Sequence, residues 1–111
     1  MSEPSLKAGL WVKAQIRLCD IHARPAIVAR HGDDDAGVVY LKLVRRDGCE
    51  VLVQARDMDG QRAWRRPLGD GPVAEPEADD YLRRQADYDP DLWVLEIEDP
   101  AGDYELDAPL L

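Results

Sequence analysis

Six arginines fall within or beside one stretch of alternating residues: Arg45, Arg46, Arg56, Arg62, Arg65 and Arg66. Tyr40 and Trp64 lie close to them in the chain. Guanidinium forks grip phosphates and aromatic faces stack on unpaired bases, so this combination suits RNA or single-stranded nucleic acid. These arginines and Trp64 are the candidate binding residues. The competing use of the same groups is internal, through pairing with Asp47, Asp57, Asp59 and the acids further along the chain. A net charge of −9 favours that internal use, because an acidic surface repels a phosphate backbone.

Other chemistries lack their residues. Ser2 and Ser5 sit in a terminal stretch expected to fray, and the chain has no threonine, which removes the Ser–His–acid triad. Cys19 or Cys49 with His22 or His31 leaves a cysteine–histidine pair formally open. Cys19 lies in an apolar-periodic segment, however, where a buried thiol packs rather than reacts. The two histidines form no His-x-x-x-His spacing and the two cysteines no Cys-x-x-Cys, so no zinc site is expected. Asp33, Asp34 and Asp35 are consecutive, whereas a helix-loop-helix calcium loop alternates its acids and closes with a glutamate. They read as a solvated turn. Gly69-Asp70-Gly71 is the nearest approach to a phosphate cradle, and the acids that follow would repel a phosphate. Glu96-Ile97-Glu98 lacks the lysine of a metal-dependent nuclease motif. Among 23 acidic residues carboxylate pairs occur whatever the fold, so a carboxylate-dependent hydrolase remains only a third reading. No cofactor motif is visible, and no cofactor is expected.

The elements that would position these residues follow from period and punctuation. Leu10, Val12, Ala14, Ile16 and Leu18 alternate as in a strand, yet Trp11, Ala14, Leu18 and Ile21 also form a helical stripe. The expectation is a short strand over Lys7 to Val12 running into a helix over Lys13 to Ala23, stopped at Arg24-Pro25. Ala26 to Arg30 is short and apolar, and Gly32 to Gly37 is a turn. Val38 to Val44, Cys49 to Arg56 and Gln61 to Arg66 are separated by Asp47-Gly48 and Asp59-Gly60, the signature of tight primed hairpin turns. They predict a three-stranded antiparallel meander. Leu68 to Ala74 is a linker, and Pro76 opens a second helix that ends at Asp89-Pro90. Its acids lie towards the positive end of the dipole, Arg83 and Arg84 lie nearer the other end, and Tyr81 and Leu82 face the sheet. Trp93, Leu95 and Ile97 alternate with Val94, Glu96 and Glu98, a strand with one buried face that leaves Glu96 and Glu98 exposed. The fold class is α+β: a mostly antiparallel sheet of five to six strands with two helices packed on it. Residues 1–99 read as one domain, and 100–111 as an extended acidic C-terminal tail.

Length and composition agree. A chain of 111 residues buries roughly 65% of its unfolded surface, enough for one modest core. No basic stretch followed by an apolar one opens the sequence, and no run is apolar enough to span a membrane, so the cytoplasm and reduced thiols are expected. Charge is sorted by position. Met1 to Arg66 holds 12 basic against 9 acidic residues, whereas Pro67 to Leu111 holds 2 against 14. The two parts can answer each other within one molecule or between two.

Three motifs carry a family likeness: Gly32-Asp33-x-Asp35-Ala36-Gly37 before an apolar strand, Asp59-Gly60-x-x-x-Trp64, and Asp89-Pro90-Asp91-Leu92-Trp93 leading into Val94 to Glu98. Through them the chain resembles domain-of-unknown-function family 1491, short bacterial proteins, over most of residues 8 to 99. The resemblance implies one intact bacterial cytoplasmic domain and carries no activity, cofactor or catalytic residue with it. The leading functional expectation is a small non-enzymatic binding or adaptor protein. Its acidic second part would meet a basic protein partner, or it would self-associate as a homodimer. Nucleic-acid binding through the arginine-bearing meander is the alternative, and no membrane partner is expected.

Overall fold

In the computed structural model, which describes residues 7–111, the segment carrying both periods is a single helix, α1 (Ala8–Ile21). The strand expected over Lys7 to Val12 does not form, and Ser2 and Ser5 lie outside the described residues. The buried side of α1 is Ala8, Trp11, Val12, Gln15 and Cys19, whereas Ala14, Leu18 and Ile21 of the expected stripe are exposed. The helix stops in a Schellman arrangement: the Arg24 amide donates to the Cys19 carbonyl at 2.8 Å, with Ala23 at φ 54°.

Five strands follow the helix into one open sheet: β1 (Ala26–Arg30), β2 (Val39–Arg45), β3 (Gly48–Arg56), β4 (Arg62–Arg65) and β5 (Trp93–Glu98), in the order β1-β5-β2-β3-β4. The second helix, α2 (Glu75–Tyr88), lies between β4 and β5 in the chain. Strands β2, β3 and β4 are consecutive antiparallel neighbours. The sheet is mixed, because β5 enters between β1 and β2 and runs parallel to β2. The α2 segment supplies the crossover that such a parallel pair requires.

The Asp-Gly pairs do not form the primed turns expected of them, since neither Arg46 nor Asp47 has a positive φ. Arg45 pairs with Gly48 across a loop of Arg46 and Asp47, so Gly48 (φ 144°) occupies a pairing position. A Cβ there would lie 2.6 Å from the Val73 carbonyl oxygen. Between Arg56 and Arg62, the Asp57 carboxylate accepts the amides of Asp59 and Gln61, both at 2.9 Å. The expected linker is tied down as well, since Cys49 and Val73 exchange backbone hydrogen bonds of 2.7 and 2.8 Å.

Helices cover both faces of the sheet, which corrects the one-sided reading of β5. On one face Trp11 and Val12 of α1 pack with Leu41, Leu43, Trp93, Leu95 and Ile97. On the other, Ala78 and Leu82 of α2 pack with Tyr40, Val51, Val53 and Val94. Val94 is therefore buried, and Glu96 is only partly exposed because it points at a buried lysine, whereas Glu98 is exposed as expected. Cys19 and Cys49 are buried free thiols in opposite cores, and burial pushes both thiol pKa values up. Among the described residues no helix is long and apolar enough to cross a membrane.

Candidate binding surfaces

Lys42 points from β2 into the face covered by α2, and its side chain is 5% exposed. Its Nζ lies 2.7 Å from Glu75, 2.7 Å from Asp79 and 3.1 Å from Glu96. Burial alone would lower the ammonium pKa, but hydrogen bonds to Asp79, Glu75 and Glu96 outweigh it and raise it well above the usual lysine range. One buried cation thus ties the first turns of α2 to two strands. It leaves an excess of carboxylate charge at the surface around it.

The C-terminal segment provides the second charged cluster. Asp99, fully buried just after β5, accepts from Arg45 at 2.9 Å and from the amides of Asp103 and Tyr104 at 3.0 and 3.2 Å. Arg24 reaches Asp103 at 2.9 Å. Asp107 accepts three hydrogen bonds: from the Trp11 indole at 2.8 Å, the Trp64 indole at 3.0 Å and Arg62 at 2.7 Å. Residues 100–111 form no helix or strand, yet they lie across the body. Tyr104, Leu106 and Ala108 pack against the α1 core, and the Tyr104 hydroxyl donates to Gln15 at 2.7 Å. The end of the segment follows β4: the Trp64 amide donates to the Pro109 carbonyl, and the Leu111 amide to the Trp64 carbonyl, both at 2.8 Å.

Partial burial pushes the Asp107 pKa up, while its bonds to Trp11, Trp64 and Arg62 pull it down further, so the net direction is below the usual carboxylate value. A carboxylate with a depressed folded pKa stabilises at pH above its unfolded value, about 4, and loses that contribution as pH falls through the folded value. Asp107→Asn is therefore expected to be less stable than the wild type at neutral pH, with the gap closing on acidification. Urea midpoints measured from neutral pH down to about pH 3 check this. A gap that stays constant would show that the charge contributes nothing.

The arginine cluster divides under this geometry. Arg45 binds Asp99 and Glu50, Arg62 binds Asp107, and Arg66 binds Glu50 at 3.0 Å and Asp70 at 3.8 Å. Arg56 donates to the Gly60 carbonyl at 3.1 Å. Arg46 and Arg65 are exposed and make no ion pair among the described residues, but the fold does not bring them together. Arg46 follows Arg45, opposite Gly48, while Arg65 pairs with Val53 near the other end of β3. Trp64 is 1% exposed and holds Asp107, so its ring offers no face for a base. Five of the seven expected binding groups, Arg45, Arg56, Arg62, Arg66 and Trp64, are thus committed to the protein's own acids and backbone. The partners that commit them, above all Asp99 and Asp107, are not legible as site residues in the sequence, because they come late in the chain, far from the arginines they meet.

Several acids without an ionic partner among the described residues meet at one end of the molecule. Glu77 and Asp87 are exposed on α2, and Asp89 and Asp91 follow its C-terminus. The Asp33 amide donates to the Asp91 carbonyl at 2.9 Å, which brings the Asp33–Asp35 turn to the same end of the molecule. Because α2 continues to Tyr88, Arg83 and Arg84 fall short of its last turn, which carries no basic residue. Carboxylates at the negative end of a helix dipole deepen the local potential rather than neutralise it.

The model of a family described as a protein of unknown function (DUF1491) matches residues 6–107. A crystal structure of a DUF1491 family protein from Caulobacter crescentus is 39% identical, with 96% of this chain and 100% of that one covered and a TM-score of 0.86. An NMR structure of a DUF1491 family protein from the same organism is also 39% identical, with coverages of 98% and 99% and a TM-score of 0.84. The solution structure of Atu0922 from A. tumefaciens is 28% identical over 91% of this chain and 88% of that one, with a TM-score of 0.72. No curated protein matches the chain.

Proposed function

The chain belongs to the DUF1491 family, and we propose that it is a small non-enzymatic binding protein of the bacterial cytoplasm whose acidic surface docks a basic protein partner. The observation that carries this reading is the division of charge once internal ion pairs are made. Three of the six arginines, Arg45, Arg62 and Arg66, are spent on Glu50, Asp99 and Asp107. Glu77, Asp87, Asp89 and Asp91 remain without an ionic partner among the described residues, against Arg84 as the one unpaired cation of α2, and the Asp33–Asp35 turn lies beside them with Asp35 paired to Lys7 at 3.4 Å. Such a surface steers cationic partners and repels phosphates. The nucleic-acid alternative loses support because its one tryptophan is buried and three of its six arginines, Arg45, Arg62 and Arg66, are ion-paired within the chain.

The test uses fluorescence anisotropy with a synthetic Lys/Arg-rich peptide and a single-stranded RNA, at low and high salt. The peptide is expected to bind at low salt and to weaken as salt screens the surface. Glu77→Lys combined with Asp87→Lys, two exposed positions that leave the Lys42 cluster intact, should weaken it about tenfold, the size of a change in interfacial charge. Peptide affinity unaffected by both reversals would sink the acidic surface. RNA binding stronger than peptide binding would move the function to the arginines.

A further inference from the structure

The two edges of the sheet are finished differently. At β4 the chain covers its own edge, through the hydrogen bonds that join Trp64 to Pro109 and Leu111. At the opposite edge β1 has β5 as its one sheet neighbour among the described residues. The Glu98 amide donates to the Pro25 carbonyl at 2.9 Å, which makes that opposition a hydrogen-bonded one. Antiparallel alternation then turns the N–H and C=O groups of Ala26 and Val28 away from β5, into the open edge. The strand is also apolar where it is open: Ile27 is 58% and Val28 37% exposed. The last turns of α1, which lead into it, add Leu18 and Ile21 at 49% and 69%. Exposed apolar edges of this kind are templates for a further strand.

We propose that β1 is a homotypic interface, pairing antiparallel with β1 of a second copy across a two-fold axis normal to the sheet. Self-pairing is isologous, so one short patch serves both partners. Charge singles out a second copy as the occupant. Glu98 and Arg30 belong to the same face of the sheet, since Arg30 pairs with Val94 and residues 94, 96 and 98 alternate together. Arg30 ends β1, while Glu98 stands opposite Pro25 at its start. The two-fold carries Arg30 of each copy to the Glu98 end of the other. Glu98 is exposed and has no ionic partner among the described residues. Among the described residues the Arg30 guanidinium holds only the Pro90 carbonyl, at 3.0 Å, and its buried Nε has no hydrogen-bond partner. Two symmetric Arg30–Glu98 contacts would complete both groups. The register irregularity between Val28 and Arg30 keeps the pairing short, so association is expected on the order of 0.1 mM, in the range of small transient interfaces.

The geometry has a functional consequence. An axis normal to the sheet leaves both α2 helices on one side, separated by several strand spacings, roughly 30 Å. The dimer would present the acidic surface twice on one face, which favours a partner with repeated basic segments. The pairing itself rests on β1 alone and stands or falls independently of that surface.

Analytical ultracentrifugation from roughly tenfold below to tenfold above 0.1 mM reads the equilibrium directly. The wild type should pass from monomer to dimer across that range, and Ile27→Lys with Val28→Lys should stay monomeric while keeping its circular dichroism and melting temperature. Glu98→Arg alone should weaken association about tenfold, and adding Arg30→Glu should restore it, as exchanged partners of one ion pair do. A wild type that remains monomeric at the highest concentration overturns the proposal. So does dimerisation of the Ile27→Lys, Val28→Lys variant at wild-type strength.

Discussion

Removal of Pro100–Leu111 is expected to lower the melting temperature by about 15 °C or more. A free acidic extension would leave it within a few degrees, and the sequence by itself reads as such an extension. The segment instead supplies contacts that the body cannot replace. Tyr104, Leu106 and Ala108 cover part of the core beneath α1. Without Asp107, the indole N–H groups of Trp11 and Trp64 lose their acceptor, and Arg62 loses its counter-ion. Without Pro109 and Leu111, the Trp64 amide and carbonyl lose their partners. A buried donor left unsatisfied costs about 1–3 kcal/mol, and each half-buried apolar side chain contributes about 1 kcal/mol. These effects overlap, so about 3–5 kcal/mol in total is a conservative expectation. For a domain of this size each kcal/mol moves the midpoint by about 4–6 °C. Thermal unfolding followed by circular dichroism checks the shift. A midpoint within a few degrees of the wild type would mean that the contacts of Tyr104 and Asp107 add nothing to stability.

The elements that can be read from the chain are those whose signals are local. Proline at the start of α2, the alternation of β5 and the meander of β2 to β4 each depend on residues within a few positions of one another. The face of α1 is less legible, because Leu10, Ala14, Leu18 and Ile21 form an apolar row beside the one that is buried. Only the aromatic bulk of Trp11 and the position of the sheet decide between them. The parallel pairing of β5 with β2 is not legible at all, since it joins segments separated by the meander and α2. The same holds for the charged clusters. Lys42 meets Glu75 across 33 positions and Trp11 meets Asp107 across 96, and no spacing rule reaches that far. The sorting of charge does anticipate that late acids answer early bases. It does not say that the answer lies in the same molecule, or that α2 is left over.

Trp93→Ala is expected to cost about 3–5 kcal/mol, a large share of the 5–15 kcal/mol that holds a small domain together. Trp93 is 3% exposed and packs against Leu95 and Ile97 in the α1 core, so truncation opens a cavity that rigid strands cannot close. Its indole N–H donates to the Asp33 carbonyl at 2.7 Å, and its ring lies 4.1 Å from that of His31. The turn over it is fitted to the indole. A Cβ on Gly32 would stand 2.6 Å from the Trp93 Cδ1, and one on Gly37 would stand 2.8 Å from it, with the Asp91 carbonyl closer still to both. In this chain two of the motifs that carry the family resemblance, the Gly32–Gly37 turn and the Asp89–Trp93 approach, are the two halves of one packing site. Trp93→Phe should recover part of the loss by refilling the volume, while still lacking the donor to Asp33. Urea denaturation of the three proteins orders them as wild type, Phe, Ala. If the alanine variant lost less than about 1 kcal/mol, the site would have collapsed around the smaller side chain and the turn would not depend on the indole.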